Sequence, residues 1–89
     1  MSDLSTPVRI SIRYFGAARA AAGVEAEARS VAADTSVADL ADQLGAHNPR
    51  LAAVLARCSY LCDGIAVRDA RGPLRAGQTI DVLPPFAGG

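Results

Sequence analysis

The sequence predicts an α+β domain, a mixed sheet packed on one main helix, and three features predict it. Residues Val8 to Tyr14 alternate apolar and polar side chains with the period of a strand. Residues Val37 to Leu44 repeat apolar side chains with the period of a helix, and a run of short strand-like segments ending at Leu83 follows that helix. The helix therefore joins an early strand pair to a late set of strands.

Each element has a local reason. Val8, Ile10, Ile12 and Tyr14 share one face and Arg9, Ser11 and Arg13 the other, the pattern of a half-buried strand. The stretch from Phe15 to Gly23 has glycine near both ends and an alanine-rich middle, enough for one or two helical turns. A second strand is expected over about Val24 to Ala32. It sets apolar Val24, Ala26 and Ala28 against charged Glu25, Glu27 and Arg29, a weak alternation because alanine packs poorly on a sheet, and its charges suit an edge.

Ser36 or Thr35 caps the main helix, with Asp39 favourable in its first turn. Val37, Leu40, Ala41 and Leu44 make its apolar stripe, and Gly45 ends it. After Asn48-Pro49, Leu51, Val54 and Leu55 line one side of a second short helix over Arg50 to Arg57. The remaining segments are Ser59 to Cys62, a turn at Asp63-Gly64, Ile65 to Arg68, a loop from Pro73 to Gly77, and Thr79 to Leu83. With the helix as crossover, the first and last strands lie side by side and parallel. That is the β-grasp, or ubiquitin-like, topology, with residues 1–7 as a disordered extension, 8–83 as the domain and 84–89 as a tail.

Composition bounds what such a domain does. Eighty-nine residues make one core and leave no room for a deep private active site. At 51% hydrophobic and 20% charged residues the chain is an ordinary globular one, and nine arginines balance nine acidic residues, so no global field recruits nucleic acid or an anionic membrane. Every basic residue is Arg, so the chain offers no lysine to a side-chain acylation by its own kind. No apolar run approaches the ~18 residues of a membrane span, and a soluble cytoplasmic protein is expected. Cys58 and Cys62 have the wrong spacing for a CxxC redox motif, and one histidine, His47, is too isolated to complete a zinc site with them. They read as reduced, half-buried small hydrophobes, and His47 as a surface residue at a helix end.

The tail carries the functional signal. The last strand runs into Pro84-Pro85, which can neither donate ladder hydrogen bonds nor continue a helix, and then into Phe86-Ala87-Gly88-Gly89. Six residues extend to at most roughly 20 Å, enough to carry the carboxylate of Gly89 into a partner's active site. Terminal glycine pairs are common in disordered ends, but flexible linkers of that kind carry Ser, Lys or Glu and no large apolar side chain such as Phe86. If Ile80 and Val82 face the core, Leu83 faces outward with Asp81 beside the exit of the tail. Leu83, Phe15 and Phe86 are then candidates for an apolar partner-binding patch, with Arg19 and Arg75 available to acidic groups.

The segments Tyr14-Phe15-Gly16-Ala17-Ala18-Arg19, Cys62-Asp63-Gly64 and Leu74 to Val82, with the ending Pro84-Pro85-Phe86-Ala87-Gly88-Gly89, together resemble the MoaD/ThiS family of sulfur carriers, on the side of the small subunits of molybdopterin synthase. The resemblance covers nearly the whole chain from Val8. It departs at Phe86, where a smaller residue such as Val is typical. The resemblance implies that a MoeB-like activating enzyme uses ATP and magnesium to convert the Gly89 carboxylate into an acyl adenylate, and that a sulfur donor then makes it a thiocarboxylate. The carrier holds no cofactor stably. The resemblance further implies that its tail enters a MoaE-like large subunit and delivers sulfur to cyclic pyranopterin monophosphate. Carriers for thiamine, cysteine or tRNA thiolation, a ubiquitin-like modifier, and an interaction module with an incidental Gly-Gly are the alternatives.

Overall fold

A computed structural model describes residues 6–85; Met1 to Ser5 and Phe86 to Gly89 lie outside the described residues. The elements are β1 (Val8–Tyr14), α1 (Gly16–Ala22), β2 (Ala26–Val31), α2 (Val37–Gly45), α3 (Pro49–Leu55), β3 (Ser59–Cys62), β4 (Ile65–Ala66) and β5 (Thr79–Leu83). The five strands form one sheet in the order β2-β1-β5-β3-β4. β1 pairs with β2 antiparallel and with β5 parallel, while β3 pairs antiparallel with both β5 and β4. This is the expected β-grasp, with β5 at its centre.

Burial follows the alternation. Ile10, Ile12 and Tyr14 of β1 and Ile80 and Val82 of β5 are at most 1% exposed, and they meet Val37, Leu40 and Leu44 of α2 and Leu51 and Leu55 of α3 in one cluster. α2 starts on a full capping box: Ser36 Oγ accepts the Asp39 N–H at 3.0 Å, and the Asp39 carboxylate accepts the Ser36 N–H at 3.1 Å. Asn48 caps α3 by accepting the Leu51 N–H at 3.0 Å, and its amide donates to the Ala21 carbonyl at 3.0 Å, which fastens α3 to α1. On the other side of α3, the Tyr60 hydroxyl donates to the Leu55 carbonyl at 3.1 Å and ties it to the sheet.

Two expectations need correction. β2 is shorter than its pattern suggested, and the face it turns to the core is the charged one. Glu27 lies opposite Ile12 and Arg29 opposite Ile10, so both share the core face with buried Val31, while Ala26, Ala28 and Ser30 face away and are exposed. Pairing with β1 sets this register, and at the edge long side chains reach past the helices while their stems cover the core. The Tyr14 hydroxyl, buried at the end of β1, donates to Glu27 at 2.6 Å, giving that carboxylate a reason to face inward. Burial and this bond together raise the Tyr14 pKa.

Gly45 is the last residue of α2, as expected, but the helix does not stop there by a left-handed turn, since Ala46 after it is right-handed. Its reason is a close approach of α3: a Cβ on Gly45 would stand 2.8 Å from Ala52 Cβ and 2.9 Å from Ala52 Cα. Substitution by alanine gains about 1 kcal/mol of helix propensity. Overpacking against a backbone atom that cannot swing aside costs about 1–3 kcal/mol, so the clash wins. Gly45→Ala is expected to lower the melting temperature by several degrees, measured by circular dichroism; an unchanged or higher midpoint would show that α3 yields freely.

Candidate functional site

The site is built where β5 leaves the sheet. β5 lies between β1 and β3, so the chain that follows Leu83 starts from the middle of the sheet rather than from an edge. The Phe15 N–H donates to the Val82 carbonyl at 3.2 Å, which pins the β1–α1 junction against the last turn of pairing in β5. Gly16 follows with φ +51°, a left-handed value that favours glycine, and a Cβ there would touch Pro84 Cγ at 3.6 Å. The Phe15-Gly16 pair thus turns the backbone sharply beside Pro84.

Two grooves flank this exit. One, of about 380 Å³, is lined by Ala17 of α1, Ala53 and Val54 of α3, Arg57, and Pro84 and Pro85 themselves. The other, of about 360 Å³, runs past Arg13, Tyr14, Phe15, Gly16 and Arg19 to Glu25 and Ala26. Phe15 is 39% exposed, a large apolar side chain left open at the root of the tail.

The outward face of β5 is not simply solvated. Asp81 is only 5% exposed, and Arg13 clasps it from the neighbouring strand, with Nε and Nη2 donating to the two carboxylate oxygens at 2.6 and 2.9 Å. The bidentate bond raises the Arg13 pKa and fixes the guanidinium, whose Cζ lies 5.7 Å from the centre of the Phe15 ring. An ion pair thereby holds the central parallel strands together and orients the exposed aromatic in one stroke. Leu61, opposite Asp81 in the register, and Leu83 extend the same face as half-buried apolar side chains.

Of the sequence candidates, Phe15, Leu83, Pro84 and Pro85 meet at this root, while Phe86, Ala87, Gly88 and Gly89 lie outside the described residues. Arg19 shares a groove with Phe15, but it faces Glu25 of its own chain at 3.5 Å with both side chains exposed, a pair that holds it weakly. Arg75 sits in the turn before Thr79, at the other end of β5 from the exit. Sequence reasoning missed Arg13, Asp81 and the α3 side of the first groove. A charged residue in the middle of a strand of buried aliphatics was the signal for Asp81, since such a group demands a partner.

Cys58 and Cys62 are free and half-buried. The Cys58 thiol donates to the Val54 carbonyl at 3.2 Å, and burial raises both thiol pKa values. Iodoacetamide at neutral pH is therefore expected to alkylate both more slowly than free cysteine, followed by intact mass; labelling as fast as the free amino acid would contradict this placement. Among the described residues, no helix is long and apolar enough to cross a membrane. The groups at the root are mostly apolar, with the Arg13–Asp81 pair and Arg57 beside them, a surface that can hold a chain.

Comparison with known proteins follows the same line. The model of the ThiS family matches residues 12–89. No curated protein matches the chain in sequence. Among solved structures, the Haloferax volcanii HVO 2177 protein is similar with a TM-score of 0.84 and 26% identity, covering 100% of this chain and 93% of that one. SAMP1 from Haloferax volcanii is similar at 0.77 and 24%, over 91% and 99% of the two chains. A complex of subunits 1 and 2 of molybdopterin-converting factor from Helicobacter pylori contains a chain similar at 0.68 and 21%, over 92% and 100%. The last two likenesses concern the fold.

Proposed function

This chain belongs to the ThiS family, and from that premise we propose that it is a cytoplasmic sulfur carrier, the small subunit of a molybdopterin synthase. The carboxylate of Gly89 is the reacting group. A carboxylate is a poor electrophile until adenylation supplies a leaving group; sulfur then displaces AMP and leaves a thiocarboxylate, a soft nucleophile at neutral pH. A MoeB-like enzyme supplies ATP, magnesium and the acid–base groups for that step. A MoaE-like large subunit receives the tail and supplies those for transfer to cyclic pyranopterin monophosphate.

One observation carries this reading: the tail springs from the central strand of the sheet, and the exposed Phe15, Leu83 and the Pro84-Pro85 pair surround its root. A partner that grips this surface holds the start of the tail at a fixed place, and the Ala87-Gly88-Gly89 end of the tail is narrow enough to enter a tunnel. The likeness to a chain of the Helicobacter pylori complex supports a large-subunit partner.

A second reading, a ubiquitin-like modifier, draws support from the likeness to SAMP1, a small archaeal modifier protein in the words that describe it. Both share the activation step and part at the acceptor. The test is to give the thiocarboxylated chain a MoaE-like large subunit and cyclic pyranopterin monophosphate, and to look in parallel for conjugates on lysines of cell proteins. Molybdopterin is the product expected. Conjugates without molybdopterin would establish the modifier instead.

A further inference from the structure

The sheet ends on one side at β2, six residues long and with no neighbour beyond it among the described residues. Its free backbone groups can be named from the register. The Tyr14 N–H donates to the Glu25 carbonyl at 2.9 Å, so Tyr14 and Glu25 form a hydrogen-bonded pair of the antiparallel ladder. Such pairs recur every second residue, which makes Ile12–Glu27 and Ile10–Arg29 hydrogen-bonded too, and leaves Arg13–Ala26, Ser11–Ala28 and Arg9–Ser30 as the open pairs. The N–H and C=O groups of Ala26, Ala28 and Ser30 therefore point away from β1, and these three residues are exposed.

We propose that this edge binds the same edge of a second copy, β2 against β2, antiparallel and centred on Ala28. Around that two-fold axis Ala28 pairs with its own copy, and Ala26 with Ser30 in both directions, so each outward backbone group meets a complementary one. The same register sets Glu27 opposite the partner's Arg29 and Arg29 opposite the partner's Glu27. Other two-fold centres on outward residues do worse. Centring on Ala26 opposes Glu25 to Glu27, and centring on Ser30 opposes Arg29 to Val31 and leaves Ala26 and Ala28 without partners. Edge charges guard against indiscriminate pairing, but this alternation of sign is self-complementary and selects one register.

Glu27 gives one carboxylate oxygen to the Tyr14 hydroxyl and keeps the other, Oε1, for a cation. Arg29 Nη2 stands 3.7 Å from Glu27 Oε1 of its own chain, beyond hydrogen-bond reach, and Arg29 Nε has no acceptor. Nε is buried within its own chain, and the partly exposed end of the guanidinium is what an opposite carboxylate on the partner strand would meet. The contact is a single strand pair, so it belongs to the small, reversible class of interface. β1 separates β2 from β5, so the contact leaves the Pro84-Pro85 exit uncovered on both copies.

The test is sedimentation equilibrium of the full chain from micromolar to millimolar concentration, with amide chemical shifts to locate the contact. A reversible dimer with shifts at Ala26, Ala28 and Ser30 is expected; a monomer throughout, or shifts at another face, would overturn the proposal. Ala28→Pro removes an outward N–H that β1 does not use, and is expected to abolish the dimer while circular dichroism stays that of the parent. Arg29→Glu turns two opposite-charge contacts into two like-charge ones and is expected to weaken association roughly tenfold or more. The sharpest arm mixes two variants: R29E and E27R chains each repel their own kind, yet pair with each other at the same register, with circular dichroism used to select conditions in which E27R, which loses the acceptor of the Tyr14 hydroxyl, keeps the parent fold. If the mixture associates no better than either variant alone, the assigned register is wrong.

Discussion

A chain lacking Gly89, or carrying one residue after it, is expected to transfer no sulfur above background, although it folds as the parent does. Deletion moves the carboxylate back by about 3.5 Å, the length of one extended residue. A displacement of about 1 Å at a reacting centre already costs on the order of 10²-fold in rate, so a whole residue leaves nothing measurable. Extension acts differently, because the Gly89 carboxyl group is then locked in a peptide bond and cannot be adenylated. Melting temperature separates loss of chemistry from loss of fold. The core that sets it, from Ile10 and Ile12 to Ile80 and Val82, lies wholly before Leu83, so the midpoint should not move.

Binding to the large subunit should fail next, on replacing Phe15 and Leu83 together by alanine. An aromatic anchor that becomes buried in an interface contributes about 2 kcal/mol or more, and a leucine that goes from half-buried to buried adds part of its ~1.5–3 kcal/mol. The two stand at the same exit, so their effects need not add. A weakening of roughly 10²-fold, measured by calorimetry against a MoaE-like subunit, is the expected result. Phe15 is 39% exposed and outside the core cluster, so the doubly substituted domain stays folded. Unchanged affinity would move the interface away from the root of the tail.

The strength of the sequence signals varied with how much of each was local. The alternation in β1, the strand-like run of β5 and the capping pattern at Ser36-Val37-Ala38-Asp39 sit within a few residues, and the structure has them where the pattern put them, although Asp81 on the outward face of β5 is buried too. The β-grasp topology followed because a helix between strand pairs leaves few ways to arrange the first and last strands, and the observed parallel β1–β5 pairing is one of them. β2 was harder. Its alanines carry so little hydrophobic weight that pattern alone does not show which face meets the core, and the deciding partner, the Tyr14 hydroxyl on Glu27, is thirteen residues away.

Non-local chemistry was harder still. Arg13 and Asp81 are 68 residues apart, and only the parallel register that sets one opposite the other makes them a pair. The reason for Gly45 is equally remote from its own sequence, since it lies in the backbone of α3 at Ala52. The proline-rich exit was legible, but the groove beside it was not, because Val54 of α3 and Arg57 in the turn after it belong to a part of the chain completed long before β5.

Sulfur on Gly89 is the central claim, and the intact mass of the chain tests it most directly. The chain is incubated with ATP, magnesium, a sulfide source and its activating enzyme, alongside a chain without Gly89. A gain equal to the exchange of one oxygen for sulfur, localised to Gly89 by fragmentation and missing from the truncated chain, is the predicted result. An unchanged mass, with the same activating enzyme shown to load another carrier, would contradict the account.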